Sequence, residues 1–119
     1  MCSASPDAVH PPDFGSGLKK RGSDADVVRG QHANRLSEFV LINVAGKSKV
    51  KVKDGTGNEA IYCLNRPHTG VYLPNMVWKE MYDFSPDSVL LVLASTHYDP
   101  DEYIRDYRDF ENEIQALAE

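Results

Sequence analysis

Arg29-Gly30-Gln31-His32-Ala33-Asn34-Arg35, with Glu38 close behind, is the stretch of this 119-residue chain best equipped for proton chemistry. On a strand, side chains two apart share a face, so His32 and Asn34 point the same way. An unperturbed imidazole titrates near pH ~6.5, which makes His32 a competent general base without a metal. Asn34 cannot accept a proton, but its amide N–H can be offered to a developing oxyanion. Arg29, a charged donor at the strand start, suits an anionic or keto substrate. The plainer reading of His32 is a satisfied structural histidine, and its neighbours are what argue for function.

A second constellation runs Leu64-Asn65-Arg66-Pro67-His68-Thr69-Gly70-Val71-Tyr72-Leu73-Pro74-Asn75-Met76-Val77-Trp78. Arg66 has the planar fork that matches a phosphate, or it fastens an Asn-Arg-Pro turn. Tyr72 and Trp78 are either core packing or a wall on which a flat ring stacks. The stripe Tyr103, Tyr107, Phe110 reads as core, and Cys63 as a small buried hydrophobe.

These residues need a frame, and the chain spells one out. Residues 1–24 hold Pro6, Pro11, Pro12, Gly15, Gly17 and Gly22 without helical or strand periodicity, which predicts a poorly ordered arm. Residues 25–119 then form one domain. Within it, Glu38 to Val44 is a near-continuous apolar run, as in a strand buried on both faces. Ser48 to Lys53 alternates valine with lysine, as on an edge strand whose Lys47, Lys49, Lys51 and Lys53 deter edge-to-edge pairing. Asp54-Gly55-Thr56-Gly57 is a hairpin turn. Glu59 to Leu64, Gly70 to Leu73, Val77 to Phe84 and Ser88 to Ala94 supply further strands, a pattern that predicts an all-β antiparallel barrel or sandwich. Asp99-Pro100-Asp101-Glu102 reads as the capped acidic start of one or two short C-terminal helices.

Composition narrows the partners. The chain carries 13 basic and 18 acidic side chains, a net charge of −5. Residues 99–119 alone hold eight acidic and two basic groups, so the rest is close to neutral. That balance is wrong for a protein that tracks a phosphate backbone, and nucleic-acid binding is disfavoured. No apolar run approaches the ~20 residues needed to span a bilayer, and residues 1–20 lack a signal-peptide stretch. Two cysteines, Cys2 and Cys63, are too few for a disulfide framework. A cytoplasmic protein without a membrane partner is expected.

A small barrel with two polar side chains aimed inward is the arrangement of a cupin. Metal-binding cupins use a His-x-His pair, a Glu four residues on and a later His. Here Glu38 stands in place, but Asn34 replaces the second histidine and Trp78 stands where the last belongs. Two of four ligands are replaced by poor binders of first-row metals, so no metal and no other cofactor is expected.

The motifs together carry a resemblance. Arg29-Gly30-Gln31-His32-Ala33-Asn34-Arg35, the 64–78 stretch, Val92-Leu93-Ala94-Ser95 and Asp101-Glu102-Tyr103-Ile104-Arg105-Asp106-Tyr107 stand in the order found in the sugar 3,4-ketoisomerases of dTDP-deoxysugar biosynthesis. These are metal-independent cupins, WxcM-like in their C-terminal domain, and the resemblance covers about residues 27–110. It implies a cupin-type jelly roll that pairs as a homodimer and moves the keto group of a dTDP-4-keto-6-deoxyhexose from C4 to C3. It further implies His32 and Asn34 at the chemistry, Arg29 and Tyr72 on the sugar, and Arg66 with Trp78 on the nucleotide. The family carries a second histidine where this chain has Asn34, and a strand-rich opening segment exchanged between subunits that residues 1–24 do not match. The alternative is therefore a cupin that binds a nucleotide sugar without turning it over, and a metal-dependent oxygenase is a distant third.

Overall fold

The apolar run before Gly46 becomes the inner strand of a sheet, because residues apolar on both faces must be covered on both. The computed structural model describes residues 15–20 and 27–118. Its strands are β1 (Gly15–Lys20), β2 (Arg29–Asn34), β3 (Phe39–Ala45), β4 (Ser48–Lys53), β5 (Glu59–Leu64), β6 (Val71–Leu73), β7 (Trp78–Tyr82), β8 (Val89–Ala94) and β9 (Tyr103–Ile104). A 3₁₀ turn, Pro100–Glu102, precedes β9, and helix α1 (Tyr107–Ala118) follows it. Pairing is antiparallel throughout, in a four-stranded sheet ordered β1-β8-β3-β6 and a five-stranded sheet ordered β5-β4-β7-β2-β9. The two sheets share no hydrogen-bonded edge among the described residues, so the jelly roll is open rather than a closed barrel.

Inward side chains of both sheets make the main core: Phe39, Leu41, Val71, Leu73 and Leu90 from one, Val50, Leu64 and Met81 from the other, with Phe84. A second core lies on the far face of the five-stranded sheet. There Ala33, Trp78 and Ile104 meet Phe110 of α1, with Tyr107 and Ile114 around them. The hairpin turn is tucked under that helix. Gly55 sits at φ +84°, and a Cβ there would stand 2.8 Å from Ile114 Cγ1 and 3.0 Å from Phe110 Cε2.

Two expectations are corrected. The lysine-rich strand β4 is no edge: β5 pairs on one side and β7 on the other, so its lysines cover the outer face of an interior strand. Lys51 and Lys53 lie over the rings of Tyr82 and Tyr107, at 5.7 and 4.9 Å. Gly15–Lys20, expected in a poorly ordered arm, pairs along its whole length with β8, whose ladder groups outweigh a weak local pattern. The remainder of that arm lies outside the described residues.

The C-terminus has the expected capped start and closing helix, with a short strand between them. Asp99 caps as expected, accepting from Asp101 N at 3.0 Å, but the turn it starts stops after Glu102. Tyr103 and Ile104 then pair with Asn34 and Ala33. Alternation therefore replaces helical spacing: Ile104 goes to the helix-side core and Tyr103 to the space between the sheets.

Candidate active site

His32 owes its position to a bulge. Gly30 (φ +82°) and Gln31 (φ +54°) both take left-handed backbone, and the β2–β7 register shifts between Gly30 and His32. Such an insertion re-aims the side chain that follows it. Glycine is needed at position 30, because a Cβ would meet Lys79 O at 3.0 Å and Met81 Sδ at 3.1 Å. The same loop orients the imidazole: His32 Nδ1 lies 3.0 Å from Gly30 O. A carbonyl only accepts, so Nδ1 donates and the neutral ring carries its lone pair on Nε2.

The imidazole lines a cavity of about 370 Å³ between the sheets. Met81, Phe84, Leu90 and Val92 make its apolar floor, and Arg29, His32, Tyr98, Tyr103 and Arg105 its polar wall. The wall is a stack of rings. Tyr103 packs on His32 with centroids 4.7 Å apart and on Tyr98 at 5.4 Å. The Arg105 guanidinium lies 4.7 Å over the Tyr103 ring and donates to Tyr98 Oη at 3.5 Å. Burial, with the charge of Glu102 adding, raises Tyr103 above the usual phenol range, so it keeps its proton.

Behind this wall sits a buried polar cluster. Asn34 is 1% exposed and Lys79 3%. Lys79 Nζ donates to Asn34 Oδ1 at 2.9 Å and stands 4.6 Å over the Phe39 ring. Burial pushes Lys79 down to about 7, against a smaller opposing pull from Glu102. Glu102 accepts from Leu36 N and Ser37 N, each at 2.9 Å, and from Ser37 Oγ. Burial works against its charged form, yet those donors together hold its carboxyl below the usual range. The Asn34 amide helps: Nδ2 faces Glu102 and the Tyr103 hydroxyl electrostatically, but closes no hydrogen bond of ordinary geometry.

Of the residues singled out from sequence, the structure gathers His32, Asn34 and Arg29 at or beside the cavity and leaves three elsewhere. Tyr72 donates to Glu38 Oε1. Trp78 is on the helix side of the sheet, its Nε1 donating to Glu80 Oε2 at 3.0 Å. Arg66 is exposed in the turn before β6, where Thr69 N donates to the Arg66 carbonyl oxygen at 3.4 Å. Sequence reasoning missed Tyr98, Arg105, Lys79 and Glu102. A helix start at Asp99 gives no sign of the strand at Tyr103–Ile104, and a lone lysine on a strand gives no sign of burial.

The family model described as FdtA: WxcM-like, C-terminal matches residues 22–115. The chain belongs to this WxcM-like family. TDP-4-oxo-6-deoxy-alpha-D-glucose-3,4-oxoisomerase of Aneurinibacillus thermoaerophilus is 43% identical over 89 residues, covering 75% of this chain and 63% of that protein. The match thus spans under two thirds of that relative's length. Among solved structures, the sugar 3,4-ketoisomerase QdtA of Thermoanaerobacterium thermosaccharolyticum, in complex with TDP, superposes with TM-score 0.82 at 37% identity, over 87% of this chain and 74% of that one. The TDP-fucose-3,4-ketoisomerase WlaRA of Campylobacter jejuni gives TM-score 0.81 at 33% identity, over 97% of this chain and 91% of that one. This WxcM-like chain therefore shares the cupin-type jelly roll of those ketoisomerases.

Proposed function

We propose that this protein is a sugar-nucleotide 3,4-ketoisomerase acting on a dTDP-4-keto-6-deoxyhexose. The observation that carries the reading is His32, held by Gly30 O through Nδ1, on the wall of a cavity flanked by Arg29 and Arg105. His32 Nε2 removes the C3 proton, and the electron pair passes through the new C3–C4 double bond onto O4. The hydroxyl proton shifts from O3 to O4. The imidazolium returns its proton at C4, leaving the carbonyl at C3. No oxidant or reductant is consumed.

Asn34 supplies an N–H toward the enediolate, a contribution of roughly 2.7–4 kcal/mol when well placed. A second acid/base group would contribute ~10²- to 10⁴-fold, so turnover is slower than with a histidine there. Arg29 and Arg105, both at the cavity wall, suit the two charges of a pyrophosphate. The protein works in the cytoplasm as a homodimer, and sedimentation at micromolar concentration showing only a 13.3 kDa species would refute the pairing.

Incubation with dTDP-4-keto-6-deoxyglucose in D₂O tests the chemistry. Deuterium is expected at the carbon beside the carbonyl, absent with His32→Ala and faster with Asn34→His. Tight dTDP binding with no exchange in any of these proteins would replace the isomerase by a binding module.

A further inference from the structure

Lys79 and Asn34 form a pair that the reaction above leaves half explained. Lys79 lies between the sheets on β7, directly across from His32. Its Nζ donates to a neutral amide oxygen, and neither ion pair among the described residues includes it. An ammonium has three donors and no lone pair, so it can meet the Asn34 amide only at oxygen. That contact decides which end of the amide faces Tyr103 and Glu102, behind the cavity wall. With Oδ1 committed to Lys79, Nδ2 is turned toward Tyr103 and Glu102, where it is buried without a hydrogen bond of its own. A buried donor left open is costly, and it is the kind of group a bound oxyanion would satisfy.

We propose that Lys79 is a positioning residue whose protonation state sets the orientation of the Asn34 amide, so that the oxyanion donor is present only while Lys79 is charged. As a neutral amine, Lys79 has a lone pair. The amide can then turn over, Nδ2 donating to Nζ and Oδ1 accepting from the Tyr103 hydroxyl. Behind the wall, an acceptor oxygen would then stand where there had been an N–H donor. Burial brings the change of state to about 7, within the working range of a cytoplasmic protein. The groups facing Lys79 are His32 and Asn34 from β2, Glu102 and Tyr103 from the C-terminal segment, the Phe39 ring from β3 and Val52 from β4.

The consequence for rate rests on the isomerase reading, whereas the amide reorientation does not, so two measurements separate them. In ¹⁵N-labelled protein, the Asn34 side-chain amide resonances, identified by their loss in Asn34→Asp, should shift in one step centred near 7. Lys79→Met should abolish that step. Lys79→Arg, charged at every accessible pH, should abolish it too with the amide held as in the acidic form. Either no step in the wild type or the same step in Lys79→Met would overturn the proposal, the latter because His32, Glu102 or Tyr103 would then be its source.

Rate of exchange into substrate should fall on the alkaline side of the same midpoint, by about 10²-fold once the donor is withdrawn. Lys79→Arg should remove that limb; an unchanged alkaline limb in it would also overturn the proposal. An amide step that follows Lys79 in a protein showing no exchange at any pH would uphold the switch and refute the isomerase reading.

Discussion

Trp78 stands edge-on to Tyr107, ring centroids 5.1 Å apart and planes at 84°. That contact fixes the tryptophan on the side of β7 that faces α1, while Lys79, one residue on, faces the space between the sheets. Alternation along a strand allows only one of the two to share a face with His32. The indole is thus the anchor of the helix, and it also meets Phe110 at 5.9 Å.

Trp78→Ala should therefore unfold the protein more readily without touching the chemistry. A loss of about 3–5 kcal/mol is expected for a buried aromatic of this size. Denaturant unfolding measures it, and dTDP affinity of the fraction that stays folded should match the wild type. A selective loss of nucleotide binding at unchanged stability would return Trp78 to the site.

Gly55→Ala should destabilise through the same helix. The position has φ +84°, and the added methyl would fall 2.8 Å from Ile114 Cγ1. Left-handed strain and the clash together predict roughly 1–3 kcal/mol. Adding Ile114→Ala should recover part of that loss, because it removes the shortest contact and leaves the Phe110 contact and the strain. Strictly additive losses in the double variant would mean that turn and helix do not communicate.

Acid should act through Glu102. Its native pKa lies below the unfolded value, so its charged form adds stability that is present above the unfolded pKa and lost as pH falls through the native one. Thermal melts across the acid range should fall steeply for the wild type and less steeply for Glu102→Gln. Ser37→Ala should cost about 1–3 kcal/mol at neutral pH, since Ser37 Oγ is one of the donors cradling that carboxylate.

Lys79 runs the other way. Its native value of about 7 lies below the ordinary 10.5, so the folded state binds fewer protons between those limits and stability rises with pH across them. At neutral pH and below, the buried ammonium costs stability, with about 5 kcal/mol as the upper bound set by the shift. Lys79→Met should thus be more stable than the wild type at neutral pH, with the advantage shrinking toward pH 10.5. Equal stabilities at both ends would show that the ammonium is not desolvated.

Much of this was legible in the residues themselves. The boundaries of β4 and β5 follow from the valine–lysine alternation and the Asp54–Gly57 turn, since period and turn chemistry are local properties. The shared face of His32 and Asn34 is equally local. What the chain does not announce is contact across long separations. Tyr103 reaches His32, and Arg105 the same cavity, only because a two-residue strand docks beside β2, and that docking depends on Glu102 being seated by Ser37. Trp78 reads equally as core or as a ring-stacking wall because its face is decided by α1, some thirty residues later in the sequence.

The pairing of β1 with β8 also matters for how the protein keeps in solution. Val89–Ala94 reads VLLVLA, with no charge and no proline, a composition that stacks readily into fibrils when its backbone is bare. Along one side of it β3 supplies the partners, and along the other only β1 does. Gly15–Lys20 thus acts as a guard whose value lies in what it keeps away. A chain shortened to begin after Lys20 should keep both cores and still become a seed for thioflavin-positive deposits, at concentrations where the full chain stays clear.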